Sequence, residues 1–346
     1  MTRVERPASV KEKEGRVSRY MARNRASDGY LLKRDVGRVL GSLFRVILLF
    51  GLCFLILQPL FHQFSASIMS RNDLFDPTVI SIPTRVTWDN YRIALELMNY
   101  WTSLFRTLLI TSAVVILQIF ACTLAGYGFA RYDFPLKKLW FVFVLLTVIV
   151  PPQVIFAPMF LNFRFFDIFG IITLISGEPL NLQQSVAGLL MLAATGMGLR
   201  SGLYIFMLRQ YFRNMPRDLE ESAYVDGCSR FRTFIQIMLP DAMPMLVSCF
   251  LFAFVWQWTD GFYTSMFLRS QGVMAMQMNS LGEVFGNWYR DLIVAQHGGH
   301  GWFPDVMLIQ AMISTGLLLG IAPLMVIYVV AQRRFVESIG QSGLKM

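Results

Sequence analysis

The chain has 346 residues, 55% of them apolar and only 15% charged, with a net charge of +9. A soluble domain carries about 25% charged residues, and thirty Phe and twenty Met are more apolar bulk than one soluble core of this size hides. A soluble globular enzyme, a disordered chain and a disulfide scaffold are therefore excluded, and the basic residues lie between membrane-length apolar runs rather than in a nucleic-acid patch.

Residues 1–37 are polar and strongly basic, and read as a cytoplasmic extension, either loose or held against anionic lipid. A hydrocarbon core takes about 20 apolar residues as helix. Six runs qualify, at 39–61, 104–129, 139–161, 184–208, 245–267 and 306–330. The chain thus divides into the extension 1–37, a first span with its external loop over 38–102, a five-span core over 103–331 and a tail over 332–346. Six spans place both termini on one side. The connecting segments on that side hold 22 Lys and Arg against 6 on the other, so both termini are expected in the cytoplasm. Trp101, Trp140 and Trp302 fall at span ends, where an amphipathic ring prefers the headgroup layer.

Between the spans, residues 73–90 and 270–304 read as external loops. His297 and His300 lie in the second; without nearby Cys they read as solvated residues rather than a zinc site. Met274, Met276 and Met278 read as a gap-filling apolar surface, with a binding protein as a candidate contact, rather than a copper site. Cys53, Cys122 and Cys249 fall in spans and Cys228 in a cytoplasmic loop, so no disulfide is implied.

Pro151, Pro152 and Pro158 interrupt the third span, either as a bend that moves during gating or as a static kink. Arg200 lies deep in the fourth span, where a charge costs at least about 2.5–3.5 kcal/mol and must face protein or water. It either lines a path and bonds a sugar hydroxyl or carboxylate, or pairs with a neighbouring helix or reaches water at a break between Gly198 and Gly202. Asp260 is the second intramembrane charge, among Trp256, Trp258 and Phe262. Aromatic faces beside a carboxylate suit a saccharide: rings cover its C–H face while the carboxylate accepts hydroxyl protons. The other reading packs this position against a second subunit.

The cytoplasmic loop 209–244 is too structured for a plain connection. Pro216 suits a helix entry, and Asp218 with Glu221 three residues later forms a capping-box pattern. Gly227 breaks that helix, Ser229 starts another, and Pro240 is expected to stop it at Leu239. Tyr224, Cys228, Phe231, Ile235 and Met238 recur at helical spacing, an apolar stripe on which something should pack.

Glu221-Ser222-Ala223, Gly227 and Leu239-Pro240 together resemble the EAA loop of ABC-importer permeases, with Ser222 in place of the usual middle Ala. Ala125-Gly126-Tyr127-Gly128-Phe129-Ala130-Arg131, Val150-Pro151-Pro152-Gln153, Trp258-Thr259-Asp260-Gly261-Phe262 and Gln332-Arg333-Arg334-Phe335-Val336 resemble segments of its carbohydrate-uptake branch, in the same order. The resemblance implies an all-α, polytopic, six-helix fold of the type I importer permease. It implies a non-catalytic subunit in a bacterial plasma membrane that translocates an oligosaccharide or other glycan-derived solute. Its expected partners are a second, homologous permease, two ATPase subunits that use ATP and Mg, and an external solute-binding protein. No cofactor is expected on this chain, which has no G-x-x-x-x-G-K-[ST] motif. By the same resemblance Glu220, Glu221, Ala223, Asp226, Gly227, Leu239 and Pro240 form the ATPase-coupling element. Other polar cargo (a polyol, a phosphodiester or a modified amino acid) is the rival within the class. A secondary transporter, which would show paired broken helices, and a membrane-embedded glycosyltransferase are the rivals outside it.

Overall fold

The computed structural model describes residues 20–21, 25–27, 30–79, 82–297 and 304–343, with the backbone alone at 296–297, 331 and 333–343. Most of the basic extension, His300, the side chain of His297 and the side chains at 333–336 lie outside the described residues.

The chain separates into two compact units, residues 1–63 and 64–346. In the first, helix α1 (Tyr30–Ile68, shared with the second unit) has a stretch of mean hydropathy 2.5, long and apolar enough to cross a membrane.

The second unit begins with the end of α1 and a turn closed around one carboxylate. Short helix α2 (Arg71–Leu74) carries Asp73, which is buried and gathers the chain around it. Its carboxylate accepts from Thr84 Oγ1 at 2.6 Å, Arg85 N at 2.7 Å and Thr84 N at 2.8 Å. These bonds, led by the Thr84 hydroxyl, hold the Asp73 carboxyl below its ordinary range. Helix α3 (Asp89–Leu97) follows, so the described residues of 73–90 are tied to Asp73 and run into a helix rather than forming a plain loop.

Helix α4 (Tyr100–Arg131) is the central element, packed against four later helices. The predicted third span is broken. Helix α5 (Lys137–Ile149) ends before Pro151, a 3-10 turn covers Pro152–Ile155, and helix α6 (Phe156–Arg164) leaves at 101°. Pro151 and Pro152 make that break. Pro158 sits in the first turn of α6, where backbone N–H groups have no helical partner to lose, and it makes no kink of its own. Helix α7 (Ile171–Ser176) lies in the following external segment.

The predicted fourth span is two helices, α8 (Val186–Ala194) and α9 (Ser201–Asn214), separated by residues 195–200. Gly196 and Arg200 in that gap take left-handed backbone conformations that no helix accommodates. Helix α9 also runs on past residue 208, into what reads by hydropathy as loop.

Three short helices follow: α10 (Asp218–Val225), α11 (Arg230–Thr233) and, after a π-helical stretch over Phe234–Met238, α12 (Leu239–Asp241). Pro240 does not stop the chain. The wider π turn shifts the hydrogen-bond register, and Pro240 stands in the first turn of α12, where its missing N–H costs little. Helix α13 (Met243–Thr259) departs at 73°. Next come α14 (Phe262–Phe267), α15 (Met274–His297) and α16 (Val306–Gly343). The expected external loop 270–304 is therefore mostly a 24-residue helix. Met274 and Leu281 are fully enclosed on it, packed with Met98 of the α3–α4 junction and Met312 of α16. The Met run thus faces inward as core filler, not outward as a docking surface. Among the described residues three helices are long and apolar enough to span a membrane, or five if each bent pair is one span.

Candidate functional site

Three spans end at one place. The C-terminal ends of α5 and α13 and the N-terminal end of α9 surround a cavity of about 580 Å3. At ~1.5 Å rise per residue, the 13 residues of α5, 14 of α9 and 17 of α13 put those ends about 20, 21 and 25 Å from their far ends. Each length is below the roughly 30 Å of a hydrocarbon core.

Its lining brings together Pro151, Pro152, Gln153, Arg200, Trp256, Asp260 and Phe262. Four of the five path candidates are here. Trp258 is not: it is buried, and its indole N–H donates to Gly320 O at 3.1 Å, tying α13 to α16. Nor does Pro158 line the cavity.

Arg200 stands at φ 58 immediately before α9, and its Cζ lies 3.6 Å from the centre of the Trp256 ring. Gln118, enclosed in α4, fixes this break: its side-chain N–H2 donates to Leu199 O at 2.7 Å and Ser201 Oγ at 2.8 Å. Gly202 lets α9 lie against α5, since a Cβ there would come 2.6 Å from Val144 O and would strike Thr147 Oγ1. Gln118 is absent from the sequence reading. A Gln inside an apolar span was the available signal, because intramembrane polar groups must find partners.

Asp260 plays a different part from Arg200. It is buried, and its carboxylate accepts from Thr264 N at 2.9 Å, Phe262 N at 3.2 Å and Thr264 Oγ1 at 3.3 Å. It caps the start of α14, and its oxygens are engaged by this chain. The hydroxyls of Thr147 and Thr259 bond back to carbonyls of their own helices and retain acceptor capacity toward the cavity. A second cavity, about 320 Å3 between α4 and α13, is lined by Ile116, Phe120, Phe250 and similar groups with no charge, which does not suit a polar solute.

At the other end of α4 the short helices α10–α12 dock. Asp218, Glu220 and Glu221 occupy the first turn of α10, suited to its positive end. The cap position is Arg217, not Asp218, and no side chain caps this helix. Glu220 turns inward: it accepts from Tyr127 Oη at 2.8 Å, and Arg131 Nε lies 3.5 Å from its other oxygen. Arg131 Nη2 donates to Met215 O at 2.9 Å, so the cluster closes on both sides of the loop. Ala223 is also buried. The helix ends in a Schellman motif, with Cys228 N bonded to Ala223 O and Gly227 N to Tyr224 O. Gly227 takes φ 79, as that motif requires. Ser229 then accepts from Arg232 N and caps α11.

Glu221, Asp226, Gly227 and Pro240 are exposed, while Leu239 is half-buried and lines the apolar cavity. Of the apolar stripe only Met238 is fully enclosed; Tyr224, Phe231 and Ile235 are exposed, as is Val225. The face that packs on the bundle is instead Glu220, Ala223, Thr233, Phe234 and Met238.

Residues 118–339 match the family described as binding-protein-dependent transport system inner membrane component. A probable ABC transporter permease protein of Pyrococcus horikoshii is 31% identical over 212 residues, 60% of this chain and 70% of that one. The arabinooligosaccharides transport system permease protein of Halalkalibacterium halodurans is 24% identical over 319 residues, 91% of this chain and all of that one. In fold the chain is similar to a chain of a bacterial ABC transporter involved in the import of the acidic polysaccharide alginate. The TM-score is 0.65 at 20% identity, over 86% of this chain and 96% of the other.

Proposed function

Because the chain belongs to the binding-protein-dependent inner-membrane transport components, the multi-pass permease subunits of ATP-driven importers, we propose that it carries an oligosaccharide or other glycan-derived solute. The cavity among α5, α9 and α13 is its part of the path. That cavity is the observation behind the reading: indole, phenyl, hydroxyl, amide and guanidinium groups meet there at membrane depth. Such a mixture suits a solute with apolar C–H faces and many hydroxyls. The arabinooligosaccharide relative supports the same class.

In this reading ATP is hydrolysed by two separate subunits. The exposed side of α10–α12, with Glu221, Asp226, Gly227 and the apolar Tyr224, Val225 and Phe231, receives one of them. Glu220 and Ala223 attach the element to α4 instead of meeting the ATPase, and Leu239 and Pro240 lead from it into α13. A second, homologous permease completes the pore. An external binding protein docks on the surface formed by 61–101 and 272–304, and both termini lie in the cytoplasm of a bacterial cell.

The test is reconstitution with co-purified partners in liposomes, with ATP hydrolysis read against a saccharide panel delivered on the binding protein. Saccharide-stimulated hydrolysis is expected. Stimulation by a polyol, phosphodiester or amino acid alone overturns the cargo; absence of partner-linked hydrolysis overturns the assembly.

A further inference from the structure

We infer that the cargo carries a carboxylate, as a uronate-type sugar does, and that Arg200 is the residue that reads it. This rests on the importer reading and narrows it. The lining of the cavity is electrically unbalanced. It has one cation, Arg200, and one anion, Asp260, and the two do not pair. Asp260 spends its oxygens on the backbone and hydroxyl that begin α14. Among the described residues no other carboxylate lines the cavity. The guanidinium thus faces the space with its donors available and only an indole ring against it.

Its placement is built rather than incidental. A non-glycine residue held at φ 58 is strained, and the strain aims this side chain at the cavity. Gln118 pins the carbonyl before it and the hydroxyl after it, both from the opposite helix. The Trp256 ring backs the guanidinium at 3.6 Å, a cation–π contact that limits its rotation and leaves the edge donors free. A planar fork held this way matches a carboxylate, to which Arg donates two parallel bonds.

Depth makes the missing partner informative. Arg200 stands at the break of the expected fourth span, about 21 Å from the far end of α9, and within a span an unpaired charge is costly and marks an ion or substrate pathway. The cargo supplies the counter-charge. Its ring hydroxyls meet Gln153, Thr147 and Thr259, and its C–H face meets Phe262. A volume of about 580 Å3 lies within the roughly 300–1,000 Å3 usual for small-ligand sites, enough for part of an oligosaccharide rather than a whole chain.

The experiment compares wild type, Arg200→Gln and Arg200→Lys in the reconstituted complex. The probes are uronate di- and trisaccharides, the same sugars with the carboxyl reduced to the alcohol, and sugar phosphates of equal size. Uptake is read as the ratio of uronate to reduced sugar in each variant, so that the preference of the binding protein cancels between variants. Wild type should favour the uronate. Arg200→Gln should lower that ratio by about tenfold or more, the effect of losing a charge-assisted bond, with uptake of both sugars reduced and that of the uronate reduced by the larger factor. Arg200→Lys should restore part of the ratio, which a purely structural role would not do. If Arg200→Gln fails to assemble, the wild-type and Lys ratios still decide. Equal loss for both sugars, no wild-type preference for uronate, or preference for the phosphate overturns the inference and leaves the saccharide reading in place. Uptake of no saccharide at all removes both.

Discussion

Glu220 and Arg200 are both charged groups placed by permease helices, one at the C-terminal end of α4 and one at the head of α9. Their surroundings differ. Glu220 is enclosed and satisfied from within, by the Tyr127 hydroxyl and the Arg131 guanidinium. Arg200 is exposed to a cavity, backed by an aromatic ring, and meets no carboxylate among the described residues. A charge that must hold two helices together is closed off by partners from its own chain. A charge that must meet something else is left open, and its position is fixed through the backbone instead.

The contrast is most severely tested by stability. Glu220→Leu should destabilise the protein by about 3–5 kcal/mol, because it strands a buried guanidinium at Arg131. Arg200→Gln should leave the thermal midpoint close to wild type. Midpoints measured side by side on the purified complex check this; equal shifts would erase the distinction. Next in size is Gly227→Pro. Proline fixes φ near −65°, whereas Gly227 sits at 79° and donates its N–H to Tyr224 O, so roughly 3 kcal/mol or more of local strain falls on the end of α10. Insertion into the membrane should persist while ATP-driven uptake disappears. Uptake at the normal rate would remove the coupling role from this turn.

The smallest effect concerns a carboxylate that is closed off like Glu220 but lies outside the membrane. The carboxyl of Asp73 is held below its ordinary range, chiefly by the Thr84 hydroxyl and then by Arg85 N–H. A depressed folded value means its contribution is complete above the unfolded value of about 3.9 and is lost as pH falls through the folded one. The external turn 70–87 should therefore stay protected from proteolysis between neutral pH and about pH 5, and loosen only in stronger acid. Asp73→Ala should loosen it already at neutral pH. Opening of the wild-type turn near pH 6 would show that another group controls it.

Much of this was legible in advance where one residue type dictates a backbone event. Five of the six apolar runs fall on helices or bent helix pairs long and apolar enough to span, while the fourth is two helices parted at residues 195–200; Pro151-Pro152 marks the break after α5, and Gly227 marks the end of α10. Helix α15 was passed over because hydropathy windows find only helices apolar all round. Its packed positions, Met274, Met278, Leu281 and Phe285, keep helical spacing with Gln277, Asn279, Ser280 and Glu283 among the residues between them, the pattern of a helix packed on one side. Glu220 and Glu221 were not separable in sequence. Neighbours on a helix point about 100° apart, and only the position of α4 decides which is buried. Asp260 was visible as an intramembrane charge, but its use as a cap depends on where α14 starts.

Gly126 brings α4 so near α9 that a Cβ there would come 2.9 Å from Leu208 Cβ and 3.1 Å from Arg209 N. Backbones in such contact slide little, and Glu220 fastens α10 to the same end of α4. The three helices thus make one stiff lever. Its short arm is the exposed side of α10; its long arm ends about 21 Å away, at the length of α9, beside the Arg200 guanidinium. A small tilt at the cytoplasmic face becomes a displacement at the cation, with no signal relayed through intervening loops.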